Sequence, residues 1–428
     1  MNKSVTLLLD HPARDLFQYC LIGEQLSLPY NIDFQDGYFT PHGPVFFKRV
    51  NKSEKFILTP SYHVLRTPNI RLRKNFSKSK LILYHSEQLI NEISYREKFN
   101  LDCFKEFDND ISLHLVWGRN FKNLLIDHGI NKNKIKVVGN AKFDILKKTN
   151  INFDKNKNIL FITNFTGADF SDAEWDNYKK EYFIDMNDYS NRDFSKIRKN
   201  FISEIQKVKN EISRLGYNII IRKHPGENPK DYEEICGDNI FLSKNEELYD
   251  DLSSSRIVFT YTSSVVFEST LLGVKTFSIK WGELEKKYMQ IPSDKYFWHN
   301  PSDLINIVRN PSKFQESISK DLFENYFGDI KSLSSTRVAD EINKFVKQTK
   351  FKDGFNYLSF FNLHGITFLI KNILNFLSTK FNILSLVQRK VNKNYSSWLE
   401  LDHHTNLNEI MASKNKSKIF LKSYLNDN

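Results

Sequence analysis

Short β-prone runs alternate with segments of helical period along most of the chain, and this alternation starts twice. The first series runs from "SVTLLL", residues 4–9, to "KIKVVGN", residues 134–140. The second begins at "NKNILFITNF", residues 156–165, and ends at "VKTFSIK". Strands that alternate with helices form βαβ units and a largely parallel sheet. The pattern therefore predicts an α/β protein with two domains of βαβ units, residues 1–150 and 151–345.

Polar segments follow several of these predicted strands, and they are the candidate functional residues. Open α/β sheets bind ligands outside the carboxyl ends of their strands. We expect the two domains to face each other across a cleft, with strand ends on both walls. A chain of 428 residues is long enough for two such cores and an additional segment.

The net charge favours an anionic partner. Lys and Arg number 62 against 51 Asp and Glu, a formal charge of +11. Phosphates, nucleotides, acidic glycans and membrane surfaces fit this charge, although a general richness in lysine explains it equally well. Nucleic acid is a poor fit because no motif of interleaved aromatic and basic residues accompanies the charge.

Cysteine usage and hydropathy predict a cytoplasmic protein. The three cysteines lie far apart without metal-ligand spacing, so the sequence supports neither a disulfide framework nor a zinc site. The apolar run in "MNKSVTLLLD" is too short for a signal peptide. No run of 18 apolar residues occurs, and no spanning helix is predicted.

Residues 346–428 differ from the rest and predict a basic, amphipathic helical extension. Apolar residues recur at helical spacing at Leu363, Ile366, Ile370, Ile373 and Leu377, and basic residues are interspersed at Lys371, Lys380, Arg389 and Lys390. A basic amphipathic helix can lie on an anionic bilayer at the inner face of the plasma membrane. Packing on the main body, or a dimer interface, is the alternative.

The stretch "IIIRKHPGE" predicts a buried strand that ends in cations and an imidazole. Arg222 and His224 offer charge-assisted donors to a phosphate, and Pro225 with Gly226 turns the chain sharply. A histidine before proline is more often only a turn residue. The motif therefore gains weight only in combination with a second one.

That second motif is "TYTSSVVFESTLLG", where a strand leads into a helix. Thr262, Ser263 and Ser264 open the helix, whose positive dipole end suits a phosphate. Glu268, one turn further, can accept hydrogen bonds from ribose hydroxyls. Plain N-capping by Ser or Thr is the alternative interpretation.

Three further segments carry candidate residues. "VVGNAKFD" places Gly139 and Asn140 after the last strand of the first half, and "LFITNF" places Thr163 and Asn164 after the first strand of the second. "LILYHSEQ" ends a strand in His85, Ser86 and Glu87. Glu87 is the candidate general base that deprotonates an acceptor hydroxyl, with Asp15 and Asp36 as competitors.

In these motifs the chain resembles bacterial surface-carbohydrate proteins of the GT-B class, of the capsule and O-antigen type. It is more distantly similar to sialyl-, polysialyl- and Kdo-transferases with a His-Pro motif and a Ser/Thr motif. The resemblance implies a GT-B fold of two Rossmann-like domains, a nucleotide-sugar as substrate and no required metal or other cofactor. It implies a donor nucleotide held by the C-terminal domain and an acceptor held by the N-terminal domain.

The resemblance also implies residue roles. His224 and Pro225 match the motif that contacts the donor phosphate and nucleotide, and Ser263 and Ser264 match the phosphate-binding hydroxyls. Glu268 matches the acid that holds the donor ribose. The chain departs from the pattern at Ser86-Glu87-Gln88, where two acids and a glycine are usual, and at Lys275, where a proline is usual.

Three functions follow as hypotheses. The first is a glycosyltransferase that moves a sugar from a nucleotide-sugar to a hydroxyl of a surface polysaccharide or lipid-linked glycan. The second is a polyol-phosphate transferase of the teichoic-acid type, in which an Asp usually stands where this chain has Thr262. The third is a non-catalytic polysaccharide-assembly protein that binds the nucleotide without turnover. The sugar, the nucleotide and the stereochemical outcome stay open.

Overall fold

The chain folds into two compact units. The computed structural model describes residues 3–9, 12–34, 54–59, 74–75, 77–85, 88, 108–148, 151–176, 190–224, 226–245, 248–261, 263–282, 298–314, 320–351, 356, 358 and 407–427. The first unit holds those between 3 and 88, between 108 and 144 and between 320 and 427, and the second holds those between 145 and 319. The chain therefore leaves the first unit after Asp144 and returns to it at Lys320.

A parallel sheet lies in the first unit. Its described strands are β1 (Ser4–Leu9), β2 (Tyr30–Phe34), β3 (Glu54–Thr59), β4 (Lys80–Tyr84), β5 (Ile111–Val116) and β6 (Ile135–Val137). Their order is β2-β1-β3-β4-β5-β6. Every position of β1 and β3 is buried, as expected for apolar strands of a parallel sheet covered on both faces. The sequence pattern predicted β1, β3, β4 and β6 but not β2 or β5.

A second parallel sheet lies in the second unit. Its described strands are β7 (Asn158–Ile162), β8 (Asn218–Arg222), β9 (Ile240–Leu242), β10 (Ser255–Thr260), β11 (Lys275–Ile279) and β12 (Trp298–His299). Their order is β12-β11-β10-β7-β8-β9. Strands are thus added on one side of β7 and then on the other, which is the doubly wound arrangement. All of these strands except β12 were predicted.

Helices connect and cover the strands. The described α-helices are α1 (Pro12–Gly23), α2 (Arg119–Asp127), α3 (Asn191–Arg214), α4 (Lys230–Glu233), α5 (Leu248–Ser253), α6 (Val265–Leu272), α7 (Leu304–Arg309), α8 (Pro311–Phe314), α9 (Lys320–Phe327), α10 (Ser334–Gln348) and α11 (Leu407–Asp427). The predicted glycine ends are confirmed, since Gly216 follows α3 with φ +82° and Gly273 follows α6 with φ +89°. The α/β class and the helical C-terminal region are confirmed.

Helix α11 packs on α1 in the first unit. The rings of Phe17 and Phe420 meet edge to face, with centroids 6.1 Å apart. Lys418 Nζ lies 3.6 Å from a carboxylate oxygen of Glu24. The amphipathic segment predicted around Leu363 lies outside the described residues. None of the helices in the described ranges is long and apolar enough to cross a membrane.

Candidate functional site

The carboxyl ends of β7, β8 and β10 lie side by side at one edge of the second sheet, because β7 pairs with β8 on one side and β10 on the other. This edge carries Thr163 and Asn164 after β7, His224 after β8, and Ser263 and Ser264 after β10. The strand order reverses between β7 and β10, and doubly wound sheets bind ligands at such a switch point. Residues from three separate stretches of sequence therefore meet at one edge.

Glu227 joins the segments that follow β7 and β8. Its buried carboxylate accepts hydrogen bonds from the Thr163 hydroxyl (2.8 Å), from the backbone N–H of Phe165 and from the Tyr232 hydroxyl. Burial raises the pKa of Glu227, while the three donors oppose the rise. Sequence reasoning missed this residue, although an acid directly after the Pro-Gly turn of "RKHPGE" is a visible signal.

His224 is half-buried two residues after the end of β8. Its ring Nδ1 accepts a hydrogen bond from the backbone N–H of Gly226 (3.2 Å), and its carbonyl accepts one from the N–H of Glu227 (3.0 Å). A nitrogen that accepts a hydrogen bond carries no proton, so Nε2 carries the proton of the neutral ring. His224 can therefore donate from Nε2. Pro225 lies outside the described residues.

Helix α6 begins directly after Ser263 and Ser264. The Ser263 hydroxyl accepts a hydrogen bond from the N–H of Val265 (3.3 Å), while the Ser264 residue is exposed and makes no capping bond. The positive end of the helix dipole and this hydroxyl favour an anion. Within the described part of the chain, the buried Thr260 Oγ1 at the end of β10 has no hydrogen-bond partner. Thr262 lies outside that part.

Two predicted residues of the donor side are enclosed by the protein. Glu268, in the first turn of α6, is 4% exposed. Thr163 is 2% exposed, and its hydroxyl already donates to Glu227. Asn164, the next residue, is half-buried. A ligand at this edge would therefore meet His224 and Ser264 before it met Glu268.

The guanidinium of Arg222 pairs with Asp251 of α5. Arg222 Nη1 lies 2.5 Å from Asp251 Oδ2 and donates to the carbonyl of Asn245 (2.9 Å). Asp251 is buried and also accepts from the Ser243 hydroxyl (2.7 Å). A buried carboxylate thus balances the charge of Arg222. The two partners are 29 residues apart in sequence, so no local pattern signals their pairing.

A chain of polar side chains runs through the interior of the first unit. His85 follows β4, and its Nε2 lies 3.3 Å from Nδ1 of His114, in β5. His114 Nε2 lies 3.2 Å from Oδ1 of Asp108, and Lys134 Nζ lies 3.1 Å from Oδ2 of the same carboxylate. His85 is 1% exposed and His114 is 0% exposed. Sequence reasoning missed His114 because it missed β5.

The predicted general base, Glu87, lies outside the described residues, as does its competitor Asp36. The other competitor, Asp15, is buried in α1, where its carboxylate accepts a hydrogen bond from Gln18 Nε2 (2.9 Å). Asp108 and Asp110 form an Asp-x-Asp pair of the kind that can hold a metal. Among the described side chains, however, no group of three or more His, Cys, Asp or Glu could hold a metal ion.

Gly139 lies where two side chains of the first unit crowd the backbone. Its φ is +84°, and a Cβ atom there would lie 2.4 Å from both Arg337 Nη2 and Ser334 Oγ. Asn140, the next residue, is buried. Close packing against α10 therefore accounts for the glycine in "VVGNAKFD".

Asp144, the last residue of the same motif, caps α10. Its two carboxylate oxygens accept hydrogen bonds from the backbone N–H groups of Ser334 and Ser335, both at 2.8 Å. The Tyr84 hydroxyl accepts from the N–H of Ala141 (2.8 Å), which holds the motif against β4. The motif thus links β4 to a helix that lies 190 residues further along the chain.

We expect the protein to lose stability as the pH falls below about 6.5. Burial lowers the pKa of His85 well below its ordinary value of 6.5. Burial also lowers the pKa of His114, and the hydrogen bond to Asp108 partly opposes this second shift. The unfolded chain takes up protons in this range while the folded chain does not. Each histidine should therefore lower the free energy of unfolding by up to about 1.4 kcal/mol per pH unit.

Urea unfolding at several pH values between 7.5 and 5.5 would measure this effect. The variant His114→Gln should show a shallower pH dependence than the wild type, because one of the two buried imidazoles is gone. An unfolding free energy of the wild type that stays constant over this range would contradict the expectation.

No protein-family profile and no curated protein matches the chain, but solved structures match its fold. A Listeria monocytogenes protein assigned as a UDP-N-acetylglucosamine 2-epimerase is 13% identical with a TM-score of 0.53, and the match covers 83% of this chain and 100% of that one. S. aureus MnaA with UDP is 12% identical, with a TM-score of 0.50 and coverages of 83% and 100%. UDP-GlcNAc 2-epimerase from Neisseria meningitidis, bound to UDP-GlcNAc, is 12% identical, with a TM-score of 0.50 and coverages of 81% and 100%.

Two parallel sheets covered by helices, together with these likenesses, show that the chain has the GT-B fold. The fold class predicted from the sequence is confirmed. Two of these neighbours are solved with a bound molecule, UDP in one and UDP-GlcNAc in the other.

Proposed function

We propose that the protein is a glycosyltransferase that moves a sugar from a nucleotide-sugar to a hydroxyl of a surface polysaccharide, such as a capsule or lipopolysaccharide glycan. One observation carries the proposal. Three neighbouring strands of the second sheet are followed by Thr163, by His224 and by the pair Ser263 and Ser264, at the switch point of a doubly wound order. Such an edge suits the phosphates of a nucleotide.

On the donor side, His224 Nε2–H and the Ser264 hydroxyl at the start of α6 would stabilise the charge that builds on the departing phosphate. In this proposal Glu268 holds the ribose, and no metal ion is required. Arg222 acts indirectly in this proposal, because its ion pair with Asp251 supports the end of β8.

On the acceptor side, Glu87 is the proposed base that takes the proton of the acceptor hydroxyl. A carboxylate suits this task when its pKa lies near the working pH. Gly139 and Asn140 would contribute through the backbone of the turn that Tyr84 holds in place.

A thermal-shift screen tests the donor class. UDP and UDP-sugars come first because structural neighbours bind UDP or UDP-GlcNAc, and CMP, CDP and GDP conjugates follow. A ligand at 100 times its Kd stabilises the folded state by about 2.7 kcal/mol, so one nucleotide should raise the Tm. The shift should shrink in Ser264→Ala and persist in Ser213→Ala, an equally exposed serine in α3. No shift with any nucleotide would contradict the proposal.

His224→Ala should lower turnover of the identified donor at least tenfold, equivalent to about 1.4 kcal/mol of transition-state stabilisation. The reason is the loss of the Nε2–H donor at the end of β8. Product analysis separates sugar transfer from epimerisation of the donor. Equal kcat values for the variant and the wild type would remove His224 from the site.

The proposal includes peripheral binding of the C-terminal extension to an anionic membrane at the cytoplasmic face. Residues 346–428 carry twelve Lys and Arg against five Asp and Glu. Helix α11 exposes Met411 (51%) and Ile419 (70%), together with Lys422 and with Lys418, whose exposed side chain also reaches Glu24 of α1. Apolar and basic residues on one side of a helix suit an anionic lipid surface.

Co-sedimentation with vesicles tests this binding. The protein should bind vesicles that contain phosphatidylglycerol and should not bind pure phosphatidylcholine. Each basic residue near the surface contributes about 1 kcal/mol, so the double variant Lys418→Gln with Lys422→Gln should bind at least tenfold more weakly. The pair Lys199→Gln with Lys207→Gln removes the same charge from the exposed face of α3 as a control. An equal loss of vesicle binding in both double variants would contradict the role of α11 in membrane binding.

A further inference from the structure

A cavity opens at the amino edge of the second sheet, where β10 and β11 begin. Its volume is about 390 Å³, near the lower end of the range for small-molecule pockets, about 300–1,000 Å³. The six residues of β10 span about 20 Å and separate the cavity from the turn at Ser263 and Ser264. The cavity is lined by Ile151, Asn152, Phe153, Asp154, Arg256, Gly273 and Lys275, all of which belong to the second unit.

Two cationic side chains converge on one carboxylate oxygen in this cavity. Arg256 lies near the start of β10 and Lys275 at the start of the neighbouring strand β11. Arg256 Nη2 lies 3.8 Å from Asp154 Oδ1, and Lys275 Nζ lies 3.5 Å from the same oxygen. Both distances exceed the length of a direct N–H···O hydrogen bond, about 2.7–3.2 Å. The carboxylate therefore lies between the cations without a close bond to either.

Asp154 is the most exposed member of this group. Its side chain is 69% exposed, compared with 22% for Arg256 and 26% for Lys275. An ion pair with so exposed a partner contributes little to stability, because water solvates the carboxylate equally well. Asp154 can therefore turn toward water at small cost. An anionic group of a ligand can then occupy its place between the two cations.

The surroundings of the cavity hold the cations in place before any ligand arrives. The Arg256 guanidinium lies over the ring of Tyr217, 5.5 Å from its centroid, and Nη1 donates to the backbone carbonyl of Asp154. Asn156 Nδ2 donates to two serine carbonyls at the junction of α5 and β10, at 2.9 and 3.1 Å. These bonds fix the segment that carries Asp154 against β10. Binding at such a preorganised site loses little conformational entropy.

The charge at this edge favours an anion once Asp154 turns away. Helix α6 also ends here, and its carbonyls contribute about half a negative charge. Gly273 and Val274 donate their N–H groups to carbonyls of the last turn of α6, so this helix end is partly satisfied. Two further exposed lysines, Lys155 and Lys157, follow Asp154 along the chain. The positive charge of the cavity therefore exceeds the contribution of the helix end.

We propose that this cavity binds a small phosphate monoester, of the size of a sugar phosphate. Arg256 and Lys275 hold the phosphate, because a group with a charge of about −1.5 to −2 matches two cations better than a carboxylate does. Ile151 and the ring of Phe153 form an apolar wall for the rest of the molecule, and the exposed amide of Asn152 can bond a hydroxyl. The site is separate from the proposed donor edge and does not depend on the proposed function.

Acetylation of lysine amines, followed by mass spectrometry, reports on the site residue by residue. At pH 7.5 and constant ionic strength, glucose 6-phosphate at ten times its Kd should slow the acetylation of Lys275 about tenfold. Lys280, which follows β11 at the opposite edge of the sheet, should keep its rate, as should Lys207 in α3. Protection of Lys280 in place of Lys275 would put the anion at the donor edge and overturn the proposal.

Three variants test the site by titration calorimetry with glucose 6-phosphate. Lys275→Gln should raise the Kd about tenfold, because one charge-assisted bond to the phosphate is lost. Asp154→Asn should lower the Kd about threefold, because the variant lacks the negative charge that competes with the ligand. Lys280→Gln is the matched control, a half-buried lysine at the other end of β11, and should leave the Kd unchanged.

Asp154→Asn separates a binding site from a purely structural group of charges. If the three residues only stabilise the fold, loss of the carboxylate gives no gain in affinity. Binding that is unchanged or weaker in Asp154→Asn would therefore overturn the proposal. An equal rise of the Kd in Lys275→Gln and Lys280→Gln would overturn it as well.

Three further probes test the class of ligand. Inorganic phosphate and glucuronate should each bind more weakly than glucose 6-phosphate, and glucose should not bind. Inorganic phosphate that binds as tightly as glucose 6-phosphate would overturn the contact with the apolar wall. Glucuronate that binds as tightly would overturn the preference for phosphate. Absence of binding by every probe would overturn the site, whether or not the protein transfers sugar from a nucleotide.

Discussion

Replacement of Glu227 by alanine is expected to lower the free energy of unfolding by about 3–5 kcal/mol. The variant leaves the Thr163 hydroxyl, the Phe165 N–H and the Tyr232 hydroxyl without their acceptor in the interior. An unsatisfied buried polar group costs about 1–3 kcal/mol, and loss of a network centre is among the largest effects of single substitutions. Nucleotide binding should weaken as well, because the segments after β7 and β8 lose their link.

Urea unfolding measures the stability change. Glu174→Ala is the matched control, since Glu174 is exposed in the same unit and accepts hydrogen bonds only from Ser171 in the described contacts. We expect Glu174→Ala to lower the free energy of unfolding by less than about 1 kcal/mol, because the side chain is exposed. Glu227→Gln keeps one oxygen acceptor, so its loss of unfolding free energy should lie between those of the two alanine variants. If both alanine variants unfold at the same urea concentration, Glu227 does not hold the two segments together.

Gly139→Ala is expected to destabilise the protein by about 2–5 kcal/mol, and Gly216→Ala by about 1–2 kcal/mol. Both glycines have nearly the same left-handed φ, +84° and +82°, so both variants bear the same backbone cost of about 1–2 kcal/mol. They differ in their surroundings. A Cβ atom at Gly139 would meet Arg337 and Ser334, whereas a Cβ atom at Gly216 would meet nothing within 4 Å. Overpacking adds about 1–3 kcal/mol.

The comparison of the two variants by chemical unfolding isolates the packing contribution. The difference between them reports how firmly α10 is held against the motif at Gly139, because the backbone cost cancels. Equal destabilisation would mean that the Arg337 and Ser334 side chains move away at little cost, and that the close approach is not needed for stability.

Most strands of the second sheet could be predicted because each is a short apolar run that ends in a turn signal. The residues Asn218–Arg222 lead into Pro-Gly, and Ser255–Thr260 lead into a hydroxyl-rich turn. Strand β5 was missed because His114 and Ser112 interrupt its apolar residues. The alternation of Ile111, Leu113 and Leu115 was a signal for it.

Positions of candidate residues at strand ends could be predicted, but their partners could not. Local sequence places Arg222 and His224 after the same strand, yet only the fold pairs Arg222 with Asp251. Likewise, Gly139 is visible as a turn glycine, while its close neighbour Arg337 lies almost 200 residues away in sequence. Side-chain pairing depends on three-dimensional proximity, which the strand pattern does not contain.

The return of the chain to the first unit reverses the order in which the two units can be completed during synthesis. The carboxylate of Asp144 meets the N–H groups that it caps only after residues 334 and 335 have left the ribosome. The whole stretch between 145 and 319 emerges before that moment. Since domains fold as units as they emerge, we expect the later-encoded sheet to mature first, while the earlier one waits as a nascent intermediate for its last helices.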